Sequence, residues 1–223
     1  MKNRFEVRKE FSTNQWSGGS TTEFYLYPEN GSYQKRDFLF RISSAVVEES
    51  PSMFTSLPGV TRTLMLLEGN MKLIHGKKEP LSLMPGKCDV FSGDVKTVSV
   101  GLATDFNLMV KDETDGTVES ICLLPKDRET FAIYPKKNKE CFLLLYVYSG
   151  EVCVQDGQEI KKVEMGELGI INIKDEDVQG FTIKNTGSSS AKLIRTIVYT
   201  RTEDTKNILL TEEVSESRKE VQV

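Results

Sequence analysis

The side chains best suited to chemistry in this sequence are two arginines, Arg41 and Arg62, each placed within an apolar segment of the first half. A guanidinium group offers two parallel hydrogen bonds to a carboxylate, so this placement favours the binding of an anion. Hydroxyl, amide and aromatic side chains could complete a pocket for a small anionic metabolite. We predict that the ligand-binding residues are Trp16, Thr21, Thr22, Glu23, Arg41, Arg62, Glu68, Asp105 and Asn107.

Alternation of polar and apolar residues indicates that part of this set shares one face of a sheet. Arg41 is followed two residues later by Ser43, and Asp105 by Asn107, with an apolar residue between the members of each pair. Side chains two residues apart on a strand point to the same side. We therefore predict a polar pocket at one mouth of a β-barrel, with Trp16 as its floor.

The same side chains permit other interpretations. Arg41 could form a structural ion pair with Glu23 or Glu68, and Trp16 could belong to the core. Glu23, Glu68 or Asp105 could serve as acid and base in a metal-independent hydrolase or isomerase. A carboxyl group with a raised pKa beside an empty cavity would indicate that chemistry. A third alternative is a protein-interaction module.

Metal chemistry lacks its usual ligands in this sequence. The only histidine is His75, and the four cysteines form no C-x-x-C pair. Imidazole and thiolate groups supply most of the affinity of protein sites for divalent transition metals, so we expect no metal, no cofactor and no catalytic residues. His75 precedes Gly76 in a predicted hairpin tip and is expected to be a surface residue. We expect the cysteines to be reduced, as in cytosolic proteins, and to act as small apolar residues.

Composition excludes several classes of partner. The chain carries 29 basic and 33 acidic side chains, a net charge of -4, which argues against nucleic acid as a partner. The longest strongly apolar run, Phe142 to Tyr148, is too short to cross a bilayer, and residues 1–11 carry charges throughout. We expect a cytoplasmic protein that contacts neither nucleic acid nor membrane. The sequence leaves open whether the protein forms a homodimer.

Segments rich in β-branched and aromatic residues recur at intervals of about ten residues, which predicts an all-β protein with little helix. The clearest predicted strands are Phe38–Val47, Thr63–Glu68, Met71–Ile74, Val95–Leu102, Asp105–Val110, Phe142–Tyr148, Glu151–Gln155, Gly180–Lys184 and Lys192–Thr200. Residues 204–223 are highly charged and could form a short helix or an extended tail.

Three pairs of glycines indicate an internal duplication. The pairs are Gly69 with Gly150, Gly76 with Gly157, and Gly86 with Gly166. Each set follows the order strand, turn, strand, hairpin, strand, which resembles the central hairpins of a cupin barrel. We predict a double cupin of two stacked barrels: an N-terminal barrel at 1–112, a C-terminal barrel at 118–202, and a charged tail at 203–223.

Five segments resemble, in order, motifs of the HutD/Ves family. They are W-S-G-G-S-T-T-E at Trp16–Glu23, F-R-I-S-S-A at Phe40–Ala45, F-T-S-L-P-G-V-T-R-T-L-M-L-L-E-G at Phe54–Gly69, F-S-G-D at Phe91–Asp94, and D-F-N-L-M-V at Asp105–Val110. The resemblance implies a bacterial bicupin associated with histidine utilisation and without established catalysis. It also implies a formylglutamate-like ligand from histidine degradation and a regulatory or buffering role. We therefore expect a binding protein rather than an enzyme.

Overall fold

The computed structural model describes residues 3–174 and 176–201. These residues form nineteen β-strands and no helix, which confirms the predicted all-β class. The strands are β1 (Arg4–Arg8), β2 (Ser12–Trp16), β3 (Gly19–Tyr27), β4 (Phe40–Val47), β5 (Ser52–Met53), β6 (Val60–Gly69), β7 (Met71–His75), β8 (Leu81–Leu83), β9 (Cys88–Ser92), β10 (Thr97–Val100), β11 (Ala103–Lys111), β12 (Asp115–Leu123), β13 (Arg128–Ile133), β14 (Lys139–Ser149), β15 (Glu151–Asp156), β16 (Glu159–Glu164), β17 (Leu168–Ile173), β18 (Gln179–Asn185) and β19 (Ala191–Arg201). The predicted tail at 203–223 lies outside the described residues.

The strands form four sheets that pair into two barrels of the same topology. In the first barrel, a six-stranded sheet of order β2-β3-β4-β11-β6-β9 faces a four-stranded sheet of order β5-β10-β7-β8. In the second, β1-β17-β14-β19-β12 faces β13-β18-β15-β16. The order β4-β11-β6-β9 thus recurs as β12-β19-β14-β17, and β5-β10-β7-β8 recurs as β13-β18-β15-β16. This repetition confirms the duplication.

The N-terminal strand does not lie with the barrel that follows it. Strand β1 pairs antiparallel with β17, from Arg4 opposite Asn172 to Arg8 opposite Leu168. The sheet of the second barrel therefore contains a strand from the beginning of the chain. The predicted domain bounds at 112 and 118 stay a prediction.

The paired glycines adopt matching backbone conformations. Their φ angles are 83° and 78° at Gly69 and Gly150, 61° and 58° at Gly76 and Gly157, and 78° and 84° at Gly86 and Gly166. The hydrogen bonds match as well, because the amide of Gly86 donates to Leu66 O at 2.7 Å and that of Gly166 donates to Val147 O at 2.8 Å. Glycine adopts a positive φ at a lower energetic cost than residues that have a Cβ atom. The glycines that repeat in the sequence therefore stand at turns whose backbone conformation favours glycine.

An aromatic layer holds the two large sheets together. Phe142 of β14 packs against Phe40 and Tyr27 of the first barrel, with ring centroids 5.2 and 4.8 Å away. Burying one such ring stabilises the fold by about 1.5–3 kcal/mol. Each barrel also has its own apolar interior. In the first barrel, however, that interior is interrupted by buried polar side chains, including Arg41 and Asp105.

No helix in the described part of the chain is long and apolar enough to cross a membrane.

Candidate ligand-binding cavity in the first barrel

The interior of the first barrel contains a cavity of about 660 Å³. Six of the nine predicted ligand-binding residues line it: Trp16, Thr21, Arg41, Arg62, Asp105 and Asn107. The other lining residues are Asn14, Gln15, Ser17, Tyr33, Gln34, Arg36, Ser43, Ala45, Val47, Ser52, Met53, Phe54, Thr55, Leu57, Ser99 and Met109. The structure therefore brings together side chains from β2, β3, β4, β5, β6, β10 and β11.

Strand register explains how these side chains meet. On the central strand β11, Asp105, Asn107 and Met109 point into the cavity, while the residues between them pack in the aromatic layer. Asn107 lies opposite Ser43 on β4, and Met109 lies opposite both Arg41 on β4 and Arg62 on β6. Directly opposed residues of neighbouring strands share a face. The two arginines thus flank the same methionine, on a polar face that the alternation predicted.

Arg41 is held firmly by its neighbours. Its Nε donates to Glu23 Oε2 at 2.6 Å, and Nη1 donates to Ser43 Oγ at 2.9 Å. Its guanidinium carbon lies 4.4 Å from the centre of the Tyr33 ring. Because the residue is 4% exposed, these contacts fix the orientation of its guanidinium group. The ion pair with Glu23 that the sequence left open is present.

Arg62 is equally buried but much less satisfied. Its Nη2 donates to Thr55 O at 2.6 Å, and its guanidinium group lies over the Phe54 ring at 5.4 Å. Its Nε is buried and has no hydrogen-bond partner. Burial lowers the pKa of Arg62 from its usual value, and Arg41 acts in the same direction, whereas Tyr33 and Asp105 oppose the shift. Arg62 therefore retains a free donor beside the cavity.

Asp105 and Asn107 supply two free acceptors to the same wall. Asp105 Oδ1 and Asn107 Oδ1 are buried and have no hydrogen-bond partner. Burial raises the pKa of Asp105 to about 7, although the charge of Arg62 and a hydrogen bond from the Ala45 backbone act in the opposite direction. Near neutral pH this carboxyl group therefore exists in both protonation states.

Three predicted residues do not line the cavity. Thr22 lies on the outer face of β3, where its hydroxyl group is 2.8 Å from that of Thr13. Glu23 reaches the site only through its ion pair with Arg41. Glu68 is exposed and forms a hydrogen bond with Tyr148 of the second barrel. Trp16, predicted as the floor, is 38% exposed and donates from Nε1 to Thr21 Oγ1 at 3.1 Å, so it is part of the outer wall.

Sequence reasoning missed two aromatic walls of the cavity. Phe54 and its neighbour Thr55 lie in a segment that resembled the family motif, so a signal for them was present. Tyr33 lies in the connection between β3 and β4, which carries no alternation that could predict its position. Its contact with Arg41 depends on how that connection folds back over the barrel.

The expectation for His75 was wrong. Its side chain is 11% exposed, at the end of β7, rather than at the surface of a hairpin tip. Nδ1 lies 2.9 Å from Thr97 Oγ1, and Nε2 lies 2.7 Å from Asp89 Oδ2. The ring also packs on Phe91 with centroids 4.7 Å apart. His75 is thus a satisfied structural residue.

The four cysteines are free; Cys141 is buried, whereas Cys88 and Cys122 are exposed and do not act as apolar core residues. Across residues 3–174 and 176–201, no group of three or more His, Cys, Asp and Glu side chains is arranged to hold a metal ion.

Comparisons with known proteins agree with this architecture. PA5104, a conserved protein of unknown function from Pseudomonas aeruginosa PAO1, is 18% identical, with a TM-score of 0.74 over 89% of this chain and 99% of its own. HutD from Pseudomonas fluorescens SBW25 is 20% identical, with a TM-score of 0.67 over 86% of this chain and 98% of its own. A point mutant of the oxalate decarboxylase OxdC from Bacillus subtilis is 7% identical, with a TM-score of 0.56 over 86% of this chain and 76% of its own.

These likenesses show the fold, which is the predicted bicupin. No curated protein matches the chain. The model of the HutD family matches residues 8–191, which is most of the chain. This protein therefore belongs to the HutD family.

Proposed function

We propose that this HutD-family bicupin, linked to histidine utilisation, binds a small anionic metabolite in the cavity of the first barrel and has a regulatory or buffering role. The observation that carries the proposal is the set of three buried polar atoms without partners: Arg62 Nε, Asp105 Oδ1 and Asn107 Oδ1. Leaving such a group unsatisfied costs about 1–3 kcal/mol. A ligand that completes their hydrogen bonds would recover that free energy on binding.

The free groups define the ligand's chemistry. The guanidinium group of Arg62 would donate to a carboxylate, while the oxygens of Asp105 and Asn107 would accept from an N–H group. An N-acyl amino acid such as formylglutamate carries both functions. The apolar parts of Phe54, Leu57 and Met109 also line the cavity and suit an aliphatic stem.

The second barrel offers an internal comparison. Arg195 on β19 corresponds in strand order and register to Asn107 on β11. It is paired with Glu119 at 2.6 Å and Glu129 at 2.7 Å, and it stacks on Phe131 at 4.3 Å. There the protein itself places carboxylates on an arginine that lies over a phenylalanine. Arg62 also lies over a phenylalanine but has no carboxylate within 4.0 Å among the described residues, which leaves room for one from a ligand.

Calorimetry with formylglutamate and urocanate tests the proposal. We expect one of them to bind the wild-type protein, and Arg62→Ala to weaken that binding by about thirtyfold, because a buried charged donor is lost. Arg41→Ala is expected to weaken binding less, since Arg41 is already paired with Glu23. Arg128→Ala, at an exposed position of β13, is the matched control. Unchanged affinity in a folded Arg62→Ala variant would overturn the site assignment.

The raised pKa of Asp105 beside a cavity favours a second candidate, acid–base catalysis without a metal. Of the three carboxylates that the sequence suggested for this role, only Asp105 lines the cavity. Attack of water on the formyl carbon of formylglutamate, followed by cleavage of the C–N bond, would release formate and glutamate, with Asp105 taking a proton from the water and giving it to the departing nitrogen. Proton NMR of formylglutamate incubated with the protein would detect free formate. Formate release that Asp105→Asn abolishes would favour the enzyme over the binding protein.

A further inference from the structure

A second cavity, of about 380 Å³, lies where β3 of the first barrel meets β14 and β17 of the second. We call it the interbarrel cleft and define it by Tyr25, Tyr27, Glu140, Phe142, Ile170 and Asn172, which line it. The rings and Ile170 are buried, so they form an apolar base. The cleft shares no lining residue with the first-barrel cavity.

Glu140 and Asn172 give this base two acceptors. The Tyr27 hydroxyl group donates to Glu140 Oε2 at 3.0 Å, and Asn172 Nδ2 donates to the same oxygen at 3.5 Å. The carboxylate cannot donate in return, so it fixes the orientation of the Asn172 amide group. Asn172 Oδ1 is then turned away from Glu140, and it is buried without a hydrogen-bond partner. A carboxylate has about four acceptor sites, so Glu140 also retains capacity.

The cations near the cleft compensate Glu140 only weakly. Lys174 Nζ lies 4.0 Å from Glu140 Oε2, and its side chain is 41% exposed, a separation and exposure at which an ion pair contributes little. Lys174 and Arg4 both line the cleft, but Arg4 has a closer partner, because it pairs with Glu6 at 2.8 Å. Arg8, outside the lining, also pairs with Glu6 at 2.8 Å. The acceptors at the base therefore favour a positively charged group.

We propose that the interbarrel cleft is a second small-molecule site, for an organic cation that carries an amidinium or primary ammonium group. Its N–H groups would donate to Glu140 and to Asn172 Oδ1, and the Tyr27 and Phe142 rings would contact the rest of the molecule. The cleft would thus select the charge opposite to that selected by the first-barrel cavity.

Benzamidine is a suitable probe, because its planar amidinium group has several N–H donors and its ring matches the aromatic base. We expect saturable shifts of the amide signals around Glu140 and Asn172 when benzamidine is titrated into the ¹⁵N-labelled full-length protein. Benzoate, which has the same shape and the opposite charge, is expected to cause none there. Glu140→Gln is expected to weaken benzamidine binding by about tenfold or more, because a charge-assisted hydrogen bond becomes a neutral one.

Glu79→Gln, at an exposed position, is the matched control and should bind benzamidine as the wild type does. If Glu140→Gln does not fold, Asn172→Ala replaces it, with the same expected direction. Formylglutamate affinity should be unchanged in the cleft variants, which separates this site from the proposed function. Absence of benzamidine binding, equal binding by benzoate, or benzamidine affinity unchanged in the folded variants would overturn the proposal.

Discussion

Alanine in place of Gly69 is expected to lower the free energy of unfolding by about 4 kcal/mol. Gly69 ends β6 with a φ of 83°, a conformation that costs a residue with a side chain about 1–2 kcal/mol. A Cβ atom there would also lie 2.2 Å from the carbonyl oxygen of Leu102, so the backbone would have to move. Forced movement in a packed region typically costs about 1–3 kcal/mol more. Urea denaturation followed by circular dichroism measures the loss.

The duplicated glycines provide the controls. At Gly157, where φ is 58°, a Cβ atom would meet nothing within 4 Å, so alanine should cost only about 1 kcal/mol. At Gly150, the partner of Gly69 in the second barrel, the nearest atom would be Ala191 Cα at 2.9 Å. For alanine at Gly150 we expect a decrease in the free energy of unfolding between those at Gly69 and Gly157. If alanine at Gly69 and alanine at Gly157 lowered the free energy of unfolding equally, the short distance to the Leu102 carbonyl oxygen would make no contribution to the loss of stability.

Every strand that was predicted from sequence buries residues on at least one face, although β3 and β17, which also do so, were missed. All nine predicted segments overlap an observed strand, including β6, β11 and β14 of the large sheets. Those that were missed are mainly short, exposed or at sheet edges. Strand β2, with sequence S-T-N-Q-W, is exposed along its whole length, so no alternation marks it. Its position depends on pairing with β3, which is a tertiary contact.

The predicted site shows where alternation succeeds and where it fails. Alternation placed Asp105 and Asn107 correctly on one face of β11. Glu68 is six residues after Arg62 on the same strand, so regular alternation would place both on one face, but the pairing of β6 with β11 shifts register between Thr104 and Asp105. Asp105 lies opposite Leu66, and Thr104 lies opposite Glu68, so one extra residue of β6 turns Glu68 to the other face. No residue type in that segment of the sequence predicts the β-bulge.

Thr22 illustrates a different limit. Adjacent residues of a strand point to opposite faces, so Thr21 and Thr22 could not both line the cavity. Thr21 lies opposite Ala45, which lines the cavity, and Thr22 lies opposite Ser44, which does not. The two-residue alternation of a strand shows that only one of the two threonines can line the cavity. The pairing register of β3 with β4 shows that this residue is Thr21.

Asp105→Asn is expected to stabilise the protein at pH 8 by about 2–4 kcal/mol relative to the wild type. The folded-state pKa of Asp105 is raised from 3.8 to about 7, chiefly by burial. Below pH 3.8 the carboxyl group is protonated in both states and contributes nothing. Between pH 3.8 and about 7 it ionises only in the unfolded chain, so wild-type stability falls as pH rises, and above that range the difference is constant.

The amide group that Asp105→Asn introduces has nearly the same shape as the carboxyl group and no charge to bury, so the variant should lack this loss. Urea denaturation of both proteins at pH 4, 5, 6, 7 and 8 gives the difference in unfolding free energy, which should grow in favour of the variant up to about pH 7. Glu10→Gln, at an exposed carboxylate, should leave the profile unchanged. A difference that does not vary with pH would mean that Asp105 is ionised throughout. Its free oxygen would then be an acceptor only, and a ligand of the cavity would have to approach it with an N–H group.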